Sequence, residues 1–556
     1  MTGLGRRAYS RCIASSLALE GSRESAPASE PEFRGLAATP LAGGRSAASD
    51  AALFTLGVYA AQALVLAAGL VQKGLLGPKG SGYWALIGTF LTFSSLLGLG
   101  AAEGASRQVP THRGRRDYTE AARVSSAAGS FTISAMAVSG LVLAGVAVVF
   151  GGSWAPPIRW GLVILGLTAP LRSLADCHDF LIQATKRFDA SAAGLLLRAV
   201  VTVTVQTVFV YFFGIWGMFI GLILGTVLVL VMWSRMGLTG FRRPAFRWGI
   251  ERSALTQVLL VGVPIMIFGQ IWQLFMAIDN LIVAGFIDVK NLGYYALAVS
   301  VTTYVLFLPK GIGVALFPRM IERYAPSGDI RSIRHYATDV QRILTYLLIP
   351  PAIASLYFLL PVLIRQGLPA FDPAIPVVHV MVAGSFFISI VHMPIKMLIA
   401  AGFRWQVTSL MLVCLAINAA ANYVAVAVLD GGVRGAAIAT SASYFTLFLI
   451  MTTYGLSKAY EPREVALHIG ELLAVFVYLM AALVGVEQLF GPGGGSALHD
   501  TAIGVAKLTV CLILLLPWTY LAQRRYNALT TIGGLLRSGL RKLRPRRAHA
   551  APSSAA

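Results

Sequence analysis

Apolar residues run along this chain in stretches of about 20, the length of helix that crosses the hydrocarbon core of a bilayer. Fourteen stretches are predicted as spans: 51–72, 83–102, 125–150, 160–183, 192–213, 215–234, 256–278, 293–317, 344–364, 374–398, 406–429, 435–455, 469–490 and 501–521. Proline and glycine punctuate the breaks, as at Gly77-Pro78, Ala155-Pro156-Pro157 and Gly491-Pro492-Gly493-Gly494-Gly495. The Gly214-Ile215-Trp216-Gly217 turn divides the fifth span from the sixth.

The pattern also repeats. Lys79-Gly80-Ser81-Gly82-Tyr83-Trp84-Ala85-Leu86 opens span two, and Lys290-Asn291-Leu292-Gly293-Tyr294-Tyr295-Ala296-Leu297 opens span eight, at an offset of 211. The same offset places Gln62 on Gln273. Further on, Ala184-Thr185-Lys186-Arg187-Phe188 matches Ala401-Gly402-Phe403-Arg404-Trp405. An offset that contains six spans keeps both copies in one orientation, a parallel repeat of the kind seen in transporters. The expected fold class is therefore all-α: a polytopic membrane protein of 14 transmembrane helices, two six-helix lobes in parallel repeat plus two extra C-terminal helices. The expected divisions are a disordered tail over 1–50, an N-lobe over 51–236, a linker over 237–255 and a C-lobe over 256–456. Spans thirteen and fourteen follow over 457–523, then a basic tail over 524–556. A misassigned start codon is the alternative for the first tail. The second lies on an anionic inner leaflet or is a stop-transfer flank.

Composition supports the membrane reading. Of 556 residues 56% are hydrophobic and 12% charged, against roughly 25% charged in an ordinary soluble domain. A soluble enzyme, a disordered scaffold and a secreted disulfide framework are excluded. Cys12, Cys177, Cys414 and Cys511 make no CxxC pair, so no metal, disulfide or cofactor is expected. The net charge of +21 would suggest nucleic acid in a soluble chain. Here 34 Lys and Arg fall on the side that holds both termini and 6 on the other. The positive-inside rule then puts both termini in the cytoplasm and accounts for the charge without nucleic acid.

Leu75-Leu76-Gly77-Pro78 with Gly82-Tyr83, and Ala277-Ile278-Asp279-Asn280 with Gly293-Tyr294, carry a resemblance over roughly 51–456. The chain resembles the polysaccharide transporter branch of the multidrug/oligosaccharidyl-lipid/polysaccharide exporter superfamily, which includes O-antigen and capsule-unit flippases. The resemblance implies a V-shaped pair of lobes around a central cavity. It also implies movement of undecaprenyl-linked oligosaccharide from the inner to the outer leaflet of a bacterial inner membrane. The partners it implies are the lipid-linked glycan, membrane lipids, H+ or Na+ as coupling ion, and a polysaccharide polymerase or export protein.

Ionisable residues deep in a span cost about 2.5–3.5 kcal/mol on insertion scales and face a partner or a wet cavity. Arg172 lies near the middle of span four, with Asp176, Asp179 and Gln183 following on one face. Two readings stand: a self-neutralised Arg172–Asp176 pair, or a polar stripe in which the arginine meets phosphate. Lys310 follows Pro309 and precedes Gly311 and Gly313, which makes it a lysine reaching the cytoplasmic face or a cavity cation at a bending point. Gln62, Gln270 and Gln273 serve as interhelical amides or as sugar ligands. Asp279 is a loop acid or, with Asp176 and Asp179, an ion-coupling candidate. Arg198, Lys396 and Lys507 sit near span ends and are expected to snorkel.

The leading function is a lipid-linked oligosaccharide flippase. A peptidoglycan-precursor flippase has nearly the same substrate chemistry. A drug–cation antiporter would need intramembrane carboxylates that span one lacks. A membrane glycosyltransferase or polymerase would need a large outer loop or a carboxylate cluster, and there is no HExxH or DxD. No catalytic residue is therefore expected. Without a Walker loop, the driving force must be an ion, membrane potential or substrate gradient.

Overall fold

The computed structural model describes residues 47–115, 117–184, 188–235, 248–491 and 496–526. Among them the chain is helical, with no strand. The order is α1 Ala47–Ser94, α2 Ala101–Gly114, α3 Tyr118–Phe150, α4 Pro156–Leu167, α5 Ala169–Ala184, α6 Phe188–Phe213, α7 Ile215–Arg235, α8 Arg252–Phe275 and α9 Ile278–Phe286. There follow α10 Val289–Tyr324, α11 Arg334–Ile343, α12 Ile349–Gly367, α13 Ile375–Ile390, α14 His392–Ala400, α15 Arg404–Tyr423, α16 Gly432–Leu456, α17 Pro462–Phe490 and α18 Ala497–Tyr526.

Every stretch expected to span falls on helix, but the count differs. Among the described residues eleven helices are long and apolar enough to cross a membrane, or twelve if the bent pair α4–α5 is one span. The expected fourteen is not reproduced. The first two expected spans lie within α1, which turns at Gly77 with φ 65°, a conformation that glycine adopts without steric cost. The eighth lies in α10, outside that count.

Two boundaries move. The segment after span two, expected as a loop, is the helix α2, set off by a turn at Gly100. Its charged sequence hides it from a search for apolar runs. Residues 47–50, expected in the tail, begin α1. Residues 1–46 and 527–556 lie outside the described residues, as do 185–187 of the repeat motif and 236–247 of the linker.

Large apolar side chains cover the outside, among them Val149, Phe150, Leu260 and Leu489. That surface suits lipid and would be costly in water. Helices meet through small residues. On α7, Gly217, Gly221 and Gly225 lie one turn apart against the α6 backbone at Phe209, Gln206 and Thr202, close packing of the kind membrane helices use.

The two halves of the chain meet along a seam that follows the repeat. A methyl group at Gly82 would fall 1.8 Å from the Val289 carbonyl oxygen, and one at Gly293 would fall 1.8 Å from that of Pro78. Val289 is Pro78 shifted by 211, and Gly293 is Gly82 shifted by 211. The two contacts are therefore each other's repeat images. On the basic-rich side, Gly100 and Gly104 of the first half pack on the backbone of Gly262 and Val258 in α8.

Candidate functional site

Span four breaks at Thr168, where α4 and α5 meet at 47°. Pro170 stands at the second position of α5, without an N–H and in the way of the carbonyl four residues earlier. The Thr168 hydroxyl donates to Ile164 O at 2.9 Å and to Leu165 O at 3.2 Å, which adds a donor to the last turn of α4 beside the break. Arg172 follows one turn later.

It lines a cavity of about 320 Å³ between the halves, with Glu103, Thr132, Ser173, Asp176 and Gln270. The structure thus brings together Arg172, Asp176 and Gln270 of the sequence candidates. Gln62, Gln273 and Lys310 do not line this cavity. Gln62 is half-buried on α1 and Gln273 is exposed on α8. Asp179 lies on α5, but its side chain is outside the described residues, as is that of Gln183.

The expected Arg172–Asp176 pair is not formed. Asp176 Oδ1 instead meets Arg198 of α6 at 2.9 Å. Arg198 therefore crosses to a neighbouring helix rather than snorkelling. The rotation of α6 against α5 decides this, and periodicity within one helix does not encode it. Arg172 makes no ion pair among the described residues, although Asp176 and Arg198 both act on it electrostatically. The cavity wall holds Arg172, Glu103 and Asp176, and Arg198 behind Asp176 brings the formal charges to zero, while the Arg172 guanidinium makes no ion pair among the described residues.

Lys310 is exposed on α10. The helix runs unbroken through Pro309, Gly311 and Gly313. Lys310 and Lys396 both lie in electrostatic range of His392, whose ring meets Trp272 edge-on at 5.1 Å. Lys396 packs its stem where a Gly313 side chain would be, with a methyl there 2.5 Å from Cε, and holds its amine 5.2 Å from the Phe317 ring. Neither Lys396 nor His392 was a sequence candidate. Lys507 is 6% exposed and donates to Glu487 at 2.9 Å and Gly491 O at 2.7 Å. The buried amine pairs with a half-exposed carboxylate between α17 and α18 and does not snorkel.

Asp279 is 1% exposed, which removes the loop-acid reading. It stands just past a second break, at Met276–Ala277 between α8 and α9. The Tyr295 hydroxyl donates to Asp279 Oδ2, Thr440 Oγ1 lies at 3.4 Å, and the Asn280 N–H donates to Oδ1 at 3.0 Å. Asn418 Nδ2 donates to the freed Phe275 carbonyl at 2.9 Å. Asn422 Nδ2 donates to Asn418 Oδ1 at 2.8 Å and Thr440 Oγ1 at 3.1 Å. All are buried. The result is a cluster of hard oxygen donors around one carboxylate, without a basic partner among the described residues. Asn280 Nδ2 reaches Thr89 of α1 at 3.2 Å and ties the cluster to the seam. The sequence signal for the cluster was Asn418 and Asn422, one turn apart in an apolar span.

A family model described as "Polysaccharide biosynthesis protein" matches residues 74–366, more than half the chain. No curated protein matches. Among the solved structures that share the fold, three illustrate it. A lipid II flippase MurJ in an inward closed conformation has a TM-score of 0.62 at 14% identity over 85% of this chain and 99% of its own. An inward-facing multidrug resistance MATE family transporter of the MOP superfamily has 0.61 at 14% over 77% and 98%. A MOP superfamily transporter from Pyrococcus furiosus, whose binding pocket is described as of reverse polarity, has 0.53 at 14% over 78% and 99%. The architecture is that of MOP-superfamily transporters, in a multi-pass membrane protein.

Proposed function

From its membership of the polysaccharide biosynthesis protein family, the one to which this chain belongs, we propose that it flips a lipid-linked oligosaccharide across the bacterial inner membrane. The substrate is of undecaprenyl-pyrophosphate type and moves from the inner to the outer leaflet by alternating access, with both termini cytoplasmic. The observation that carries this reading is the cavity between the halves with Arg172 at its wall. A pyrophosphate entering a low-dielectric cleft without a cation would cost several kcal/mol. A guanidinium with free donors offsets that cost and binds phosphate oxygens two at a time. Gln270 supplies amide groups for sugar hydroxyls, and Lys310 with Lys396 adds positive charge in the second half. The carrier's long prenyl tail stays in lipid.

The Asp279 cluster is the proposed coupling site for H+ or Na+. Its carboxylate, amide and hydroxyl oxygens suit a hard cation, or the carboxylate takes a proton. The Asn280–Thr89 bond gives occupancy a route to the seam. Asp176 and Asp179 remain the weaker coupling candidates, since Asp176 serves Arg198.

Proteoliposomes loaded with a fluorescent lipid-linked oligosaccharide test the assignment. Arg172→Ala is expected to lower the initial flipping rate at least tenfold, and Arg172→Lys to retain more of it. Since Asp176 keeps Arg198, the alanine variant leaves no orphan carboxylate and should fold normally. Wild-type flipping by Arg172→Ala would remove Arg172 from the site. Flipping of lipid II in preference to the oligosaccharide substrate would make the protein a peptidoglycan-precursor flippase.

A further inference from the structure

A second cavity of about 530 Å³ lies in the other half, between α12, α13, α16 and α17. It shares no helix with the Arg172 cavity. Along the membrane depth its wall is aromatic. Phe387 meets Phe476 at 4.4 Å and Phe445 at 4.9 Å. The groove opens on the lipid-facing surface, where Ile438 is 53% exposed and Ala442 is exposed. Its polar groups are mostly engaged. Ser441 donates to Val380 O at 3.2 Å, and His379 Nε2 pairs with Tyr357 O at 3.1 Å while its ring stacks on Tyr357.

Arg434 is the exception. It sits at the mouth of the groove, exposed, and makes no ion pair or hydrogen bond among the described residues. Asp430, four residues earlier, does not pair with it. Its place is unfavourable on two counts. It lies in the first turn of α16, which has no acid, and a cation there opposes the helix dipole. It is also one of the 6 basic residues on the basic-poor side, where the positive-inside rule disfavours it. An apolar chain groove capped by an unanswered cation complements an amphiphile with an anionic head.

We propose that this groove binds one acyl chain of an anionic phospholipid from the adjacent leaflet, with the phosphate on Arg434. The membrane's own lipid is the occupant because the groove opens on the lipid-facing surface and shares no helix with the proposed substrate cavity.

Native mass spectrometry on the delipidated full chain tests this with phosphatidylglycerol, phosphatidylcholine and undecaprenyl phosphate as probes. Phosphatidylglycerol should be retained at least tenfold more tightly than phosphatidylcholine. Arg434→Gln should abolish that preference. Ala442→Trp, which fills the groove from its exposed rim, should reduce binding of the lipid itself. Unchanged melting of Arg434→Gln shows that the loss is not unfolding. Equal retention of the two phospholipids, or an Arg434→Gln variant that keeps the preference, overturns the proposal. So does displacement of phosphatidylglycerol by undecaprenyl phosphate at lower concentration than by phosphatidylglycerol, since the groove would then be a carrier-lipid site. None of these readouts depends on transport, so the lipid site and the flippase reading fail separately.

Discussion

Arg172, Asp176 and Arg198 form a row of charges in which one carboxylate stands between two guanidiniums. The Asp176–Arg198 contact is partly exposed, with side-chain exposures of 63% and 29%, and such pairs contribute about 0–1 kcal/mol to stability. Its importance lies in keeping Asp176 away from Arg172. Arg198→Ala is therefore expected to melt within a few degrees of wild type yet flip slowly, because the released carboxylate competes with substrate for Arg172. Adding Asp176→Asn should restore the rate; an unrescued double variant would show that Arg198 acts by another route. Asp279 obeys a different rule, since it is buried in a satisfied network. Asp279→Ala removes the acceptor of the Tyr295 hydroxyl and the Asn280 N–H, while Tyr295 and Thr440 keep each other at 2.9 Å and Thr440 keeps Asn422, so the loss is about 0.5–1.5 kcal/mol for each hydrogen bond removed. Asp279→Asn should cost less. If the cluster holds the coupling ion, the wild-type melting temperature rises with that ion by linkage, about 2.7 kcal/mol at a hundredfold excess over Kd. Both variants should lose this dependence, and a rise that survives in Asp279→Asn would place the ion elsewhere.

At the scale of helices, the breaks in otherwise continuous spans are where polar chemistry gathers. Thr168 closes the break before Arg172, and Asn418 closes the one before Asp279. Gln341 Nε2 donates to Ile390 O at 3.1 Å beside the α13–α14 break, and its Oε1 accepts from His468 Nε2 at 3.0 Å. Spans four and ten, related by the repeat, are both broken. These positions were only half legible in the sequence. Apolar runs mark where a helix crosses, and Arg172 and Asp279 stand out because charge is rare there. Which partner each one meets depends on the rotation of one helix against another, which no single helix pattern carries; hence Arg198 was read as snorkelling, and Tyr295 and Thr440 carried no site reading. α2 was missed because its pattern is charged. The repeat was legible, and its glycines have a mechanical meaning. Gly82 and Gly293 leave no room for a side chain, so Gly82→Ala or Gly293→Ala must push the halves apart on the basic-poor side. Each variant is expected to make a cysteine placed at Thr89, 3% exposed in this arrangement, more reactive from that side. Unchanged reactivity would mean that the seam yields elsewhere.

For the whole molecule, the question is which way the described helices point. The halves pack glycine against backbone on both sides, at Gly82 and Gly293 on the side with 6 basic residues and at Gly100 and Gly104 on the side with 34, and the Arg172 cavity lies against the second of these contacts, with Gly100 and Glu103 in its wall. If the basic-rich side is cytoplasmic, the cavity lies in the half of the membrane where a lipid-linked precursor is assembled. The opposite orientation would place it in the half where the product leaves. Charge bias sets orientation through the short connections near span ends, and those connections alternate consistently along the chain. Ala370, between α12 and α13, and Ser457, after α16, are both exposed and fall on opposite sides. Cys177, Cys414 and Cys511 are buried, so replacing Cys12 leaves a low labelling background. In intact cells, an impermeant maleimide should label Ala370→Cys and spare Ser457→Cys until the membrane is opened. The reverse pattern would invert the molecule and turn the proposed direction of transport around with it. Labelling at both positions in intact cells would mean that an odd number of crossings has been miscounted between them.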